Sequence, residues 1–75
     1  MIIKDIMESK IFDENEQIVI LEGYVDNPKR LYTGRLRRIP EELHELKVEL
    51  IASMGERRRN EWNLNKYGWL EIWID

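Results

Sequence analysis

Apolar residues near the start of the chain recur with a helical period. Ile2, Ile3, Ile6 and Met7 fall on one side and Lys4, Asp5, Glu8 and Ser9 on the other, the stripe of a short amphipathic N-terminal helix. The polar cluster Asp13-Glu14-Asn15-Glu16 has nothing to bury and reads as a turn. QIVILEGYV (17–25) follows, and its unbroken Ile18-Val19-Ile20-Leu21 run predicts a central strand covered on both faces. RLYTGRLRRI (30–39) alternates, with Tyr32 and Leu36 to one side and Thr33, Arg35 and Arg37 to the other. With Pro28 between them, these two strands predict an antiparallel hairpin.

Pro40 stands at a first helical position with Glu41 and Glu42 behind it, which predicts a middle helix of about two turns carrying Leu43 and Leu46. KVELIASM (47–54) alternates again. In GWLEIWID (68–75), Leu70, Ile72 and Ile74 share one face and Trp69, Glu71 and Trp73 the other. Gly55 and Asn65-Lys66-Tyr67-Gly68 have turn chemistry, so GERRRNEWNLNKYG between these strands reads as a loop. The pattern predicts one α+β domain over residues 1–75: a small four-stranded, mainly antiparallel sheet of two hairpins, an N-terminal helix and a short middle helix.

Asp13-Glu14-Asn15 ahead of a strand, Tyr32-Thr33-Gly34, Ile39-Pro40-Glu41-Glu42-Leu43 and the terminal Glu71-Ile72-Trp73-Ile74 together resemble a loose group of small uncharacterised proteins of phages and mobile elements of Gram-positive bacteria. The resemblance touches most of the chain. In that group the N-terminal helix, Y-x-G and I-P-x-E-L recur, whereas the arginines at 57–59 look like an insertion. It implies no activity and brings no functional residues.

Composition narrows the options by exclusion. A chain of 75 residues removes from water only roughly 60% of its unfolded surface, and without cysteine no disulfide assists it. At 43% hydrophobic residues the chain still folds, although 36% are charged. One histidine leaves no zinc-ligand cluster, and the scattered glycines make no phosphate-binding loop, so neither metal nor cofactor is expected. Ser9, Ser53 and Thr33 have no nucleophile context and His44, between Glu41 and Glu45, reads as a surface histidine; the expectation is a non-enzymatic protein. No apolar run approaches a membrane span, and charges interrupt the N-terminal segment where a signal peptide is apolar, which predicts a cytoplasmic protein without membrane contact.

The net charge of −3 is unevenly laid out: residues 1–28 carry −5, 29–38 carry +5, 39–56 carry −4 and 57–60 carry +3. Arg57, Arg58 and Arg59 beside Trp62, with Tyr67 and with Arg35 and Arg37 from the first hairpin, supply the cations and aromatics of a single-strand nucleic-acid site. Against that stand the negative total charge and the flanking Glu56 and Glu61, either of which can pair with those arginines. Trp69 and Trp73 present a second choice: an exposed pair anchoring a partner, or a second sheet face covered by Ile2, Ile6 and Met7 of the N-terminal helix, which so small a core favours. The function expected is an interaction module of phage or mobile-element origin, binding a protein partner or itself as a homodimer. Nucleic-acid binding through residues 57–62 is the alternative, and inhibition of a host defence or regulatory protein is a third.

Overall fold

The computed structural model describes residues 1–64 and 68–75. Its strands β1 (Gln17–Glu22), β2 (Lys29–Arg35), β3 (Val48–Ser53) and β4 (Trp69–Ile74) form one sheet in the order β2-β1-β4-β3. Helix α1 (Ile3–Glu8) precedes the sheet in sequence, and a second helix, α2 (Glu56–Glu61), lies between β3 and β4. The architecture is α+β, as the periodicity predicts, with antiparallel pairs at both edges and one parallel pair, β1 with β4, in the middle.

The two most apolar strands take the centre because only there are both faces covered. Ile18, Ile20, Ile72 and Ile74 point to one side, where Ile3, Ile6, Leu36 and Ile39 complete a core. Val19, Leu21, Trp69 and Trp73 point to the other, against Met54, with Trp62 and Leu64 packed on them. The tryptophans are thus buried, but by the α2 segment; the N-terminal helix covers the opposite face.

Helix α1 begins where the Asp5 carboxylate accepts the Ile2 N–H at 2.9 Å, half of a capping box. Two of its free backbone donors are satisfied from a distance: Ile3 N–H donates to the Leu46 carbonyl at 3.0 Å and Lys4 N–H to that of His44 at 2.9 Å. The segment after Pro40 departs from the expectation: the N–H groups of Leu43, His44 and Leu46 donate three residues back, to Pro40, Glu41 and Leu43. The two expected turns of α-helix become one 3₁₀ turn, Glu41–Leu43, and another 3₁₀ turn precedes it at Leu36–Arg38, inside the stretch expected as strand to residue 39. His44 is half-buried rather than free on the surface, and its Nε2 donates to the Ile39 carbonyl at 2.9 Å.

The second correction is α2 itself, where the sequence reads as a loop. Glu and Arg are good helix formers, and Arg57 pairs with Glu61 one turn on at 3.3 Å. The helix ends in a Schellman arrangement: Asn63 is left-handed (φ 53°), its N–H donates to the Asn60 carbonyl, and Leu64 N–H donates to that of Arg59. The turn expected at Asn65-Lys66-Tyr67 lies outside the described residues. Among the described residues no helix is long and apolar enough to cross a membrane.

Candidate partner-binding face

The face of the sheet beneath α2 gathers most of the residues that carry chemistry. Strand alternation places Trp69, Glu71 and Trp73 of β4 on it, and the register sets Glu71 beside Val19 of β1 and Ala52 of β3. Glu71 is only 8% exposed. A carboxylate so far from water needs compensating partners, and it has two: Trp73 Nε1 donates at 3.0 Å and Arg58 Nη1 at 3.2 Å.

Arg58 already commits Nη1 and Nη2 to the protein itself, which competes with forked binding of a phosphate from solvent. Besides Glu71, its Nη2 donates to the Val25 carbonyl at 2.7 Å, and its guanidinium carbon lies 5.5 Å from the ring centres of both Trp62 and Trp73. Its task is to tie α2, the central strand β4 and the β1–β2 turn into one unit. Trp62 is similarly engaged: Arg30, at the start of β2, lies over the same ring at 4.7 Å. The two basic segments of the chain do meet, but they meet at Trp62 through Arg30 and Arg58. A base stacking there would have to displace a guanidinium.

The other sequence-singled residues are spread out. Arg57 projects into solvent and pairs with Glu61, while Arg59 is partly covered on the same helix. Arg35 turns to Asn15 Oδ1 at 3.3 Å and Arg37 is exposed in a 3₁₀ turn. Trp69 is buried under the α2 segment, and Trp73 lines a surface depression. Arg30 and Glu71 were not singled out by sequence reasoning. For Glu71 a signal existed, since an acid alternating onto a face with two tryptophans requires a buried cation; for Arg30 nothing local distinguished it from its neighbours.

Two depressions adjoin on this face, both bordered by Val25 and Glu71. One, about 390 Å³, is lined by charge: Asp26, Arg57, Arg58 and Glu61. The other, about 310 Å³, is largely apolar, with Gly23, Val25, Leu50, Ala52 and Trp73 around it and Glu49 at its rim. Leu50 is 54% exposed and Val25 67%, and Tyr24, next in the same turn, 86%. The bond from Arg58 to the Val25 carbonyl holds that turn in place, so its apolar side chains are presented by a fixed backbone.

A scan against protein-family models, a search of curated proteins and a search of solved structures each found no match.

Proposed function

We propose that the chain is a non-enzymatic interaction module that binds another protein chain with the α2-side face of its sheet. The observation that carries this reading is the exposed apolar pair Val25 and Leu50 at a depression walled by Ala52 and Trp73, with the exposed Tyr24 next to Val25 in the chain. Large side chains left in water on a chain with so small a core lower its solubility and add nothing to its fold, and interface centres are built from such aromatic and aliphatic groups inside a polar rim. Glu49 and the Asp26–Arg57–Glu61 depression provide that rim.

Capture from a lysate of the source cell tests the reading through a contrast of variants. Leu50→Asp abolishes capture of the partner and leaves the circular dichroism spectrum unchanged, because Leu50 is half in solvent. Arg35→Ala with Arg37→Ala, away from both depressions, leaves capture intact. The opposite pattern sinks the reading.

Nucleic-acid binding is the second reading, favoured by the meeting of the two basic segments at Trp62. Arg35, Arg37, Arg57 and Arg59 are its cations. Fluorescence anisotropy with a labelled single strand at low salt tests it: binding that falls steeply with salt and vanishes in Arg57→Ala/Arg59→Ala supports it, and no binding at low salt refutes it.

A further inference from the structure

The sheet has two edges, and they are built differently. β2 is guarded by Lys29, Arg30 and Arg35 and by a bulge at Ile20/Leu21, the usual means of keeping an edge from pairing with another chain. β3, Val-Glu-Leu-Ile-Ala-Ser, carries one charge and no proline. Its irregularity falls between Val48 and Leu50, leaving the stretch that follows in regular register with β4. At its start the outer edge is already taken, since Ile2 bridges Lys47 and Val48 N–H donates to the Met1 carbonyl at 2.7 Å. Beyond Val48, nothing among the described residues pairs with it.

On these grounds we infer that the partner of this face is a second copy of the chain, joined by antiparallel pairing of β3 with β3. The inference rests on the reading of this face as a protein-binding surface and names its occupant. The free stretch runs from Glu49 to Ser53, so a two-fold axis perpendicular to the sheet that uses all of it passes through Ile51. Directly opposed residues of an antiparallel pair point to the same face. This register sets Ile51 against Ile51, Leu50 against Ala52 and Glu49 against Ser53 of the other copy, so every apolar side chain of the stretch meets an apolar one. A centre one residue earlier brings Val48, already bonded to the Met1 carbonyl, opposite Ala52, and one residue later leaves Glu49 outside the paired stretch. A centre two residues earlier collides with the Met1 pairing, and one two residues later leaves Glu49 and Leu50 unpaired along the edge.

Charge fits the same register. Glu49 is the one charged residue on the edge; the irregularity between Val48 and Leu50 takes it out of strict alternation, and it lines the α2-side depression with Leu50 and Ala52. It comes opposite Ser53, which lines the charged depression together with Arg57. Arg57 is almost fully in solvent, with a side chain long enough to reach a carboxylate from the other copy. The two-fold axis makes this Glu49–Arg57 pair twice. The product is a continuous eight-stranded sheet, with the half-exposed Leu50 of each copy covered at its centre and α1 and α2 on opposite faces throughout.

Sedimentation velocity over a dilution series, with hydrogen exchange on the same samples, tests this directly. The expected species at high concentration is twice the 9.2 kDa chain mass, dissociating on dilution, with outward-facing amides of residues 49–53 protected only in the dimer. Glu49→Arg and Arg57→Glu each weaken dimerisation by roughly tenfold, and the double reversal restores it to about the wild-type value. A monomer at every concentration overturns the inference, as does a dimer whose 49–53 amides stay unprotected. A double variant as weak as either single one overturns the register. Failure of the dimer alone leaves the wider reading standing if Leu50→Asp still abolishes partner capture; if that variant also captures normally, both fall.

Discussion

Arg58 is the residue on which the second face depends, because it compensates a carboxylate that the strand alternation of β4 forces under cover. Removing one member of a covered ion pair strands the other, a loss of about 3–5 kcal/mol when burial is complete. With the Arg58 and Glu71 side chains 20% and 11% exposed, screening brings Arg58→Ala to roughly 2 kcal/mol, readable as a lower urea midpoint. Arg58→Lys recovers less than half, since an ammonium cannot reach Glu71 and the Val25 carbonyl together. Tyr32 shows a similar economy on the edge strand. Its hydroxyl donates to the Arg35 carbonyl at 2.7 Å and crosses the space where a Cβ on Gly34 would sit, 2.6 Å away. Gly34→Ala therefore pushes the ring off its acceptor and costs about 1–2 kcal/mol. The Tyr32 phenol is raised above the ordinary value of 10.0 by desolvation, against a lowering by Arg38. A raised folded value means the native state holds its proton more tightly. The associated stability is present in full below pH 10 and drains away as pH climbs through the folded value. Alkaline unfolding of Tyr32→Phe lacks that component, and an unchanged profile disproves the assignment.

At the scale of elements, α2 is the least self-sufficient piece. Six residues are far too few for a stable helix in water, so α2 persists through Arg58, the Schellman cap at Asn63 and the seating of Trp62 and Leu64 on the Val19–Trp73 core. Trp62→Ala is expected to release α2 while α1 and its core hold. Amides of residues 56–64 then exchange fast, those of β1 stay slow, and an equal loss of protection in both rejects this division. The legibility of this element was partial. Its helix formers, its i,i+4 Arg57–Glu61 pair and an Asn-Leu end are all in the string, but flanking turn residues and the absence of an apolar stripe disguise them. The middle segment failed in the reverse sense: Pro40-Glu41-Glu42 begins a helix locally, yet the N–H groups of Leu43, His44 and Leu46 bond three residues back rather than four, and the His44 and Leu46 carbonyls turn to the N-terminus of α1.

For the molecule as a whole, the decisive feature is that the last strand occupies the centre. β4 is the only neighbour of β3 within the sheet and the parallel partner of β1, so it joins the two antiparallel pairs. A chain ending at residue 64 should lose both cores and give a disordered circular dichroism spectrum; a folded fragment with native-like near-ultraviolet signal contradicts that placement. The same arrangement puts β3 at an edge and gives the molecule its asymmetry, one edge guarded by cations and the other available.

The sequence by itself determined which segments are strands, which residues of each share a face, and that α1 is amphipathic, because these follow from periods of two and 3.6 over a few residues. It also favoured burial of the two tryptophans over their exposure in so small a domain. Tertiary structure alone decided the rest. Strand order assigns the tryptophan face to α2 and the isoleucine face to α1, since either pairing satisfies the local pattern and only packing both faces at once selects between them. It chose Arg58 from three adjacent arginines, because helix phase against the sheet lets one in three point inward. It brought Arg30 from a distant segment onto Trp62, and it left β3 at the border, because an edge is a property of the assembled sheet and of no strand taken alone.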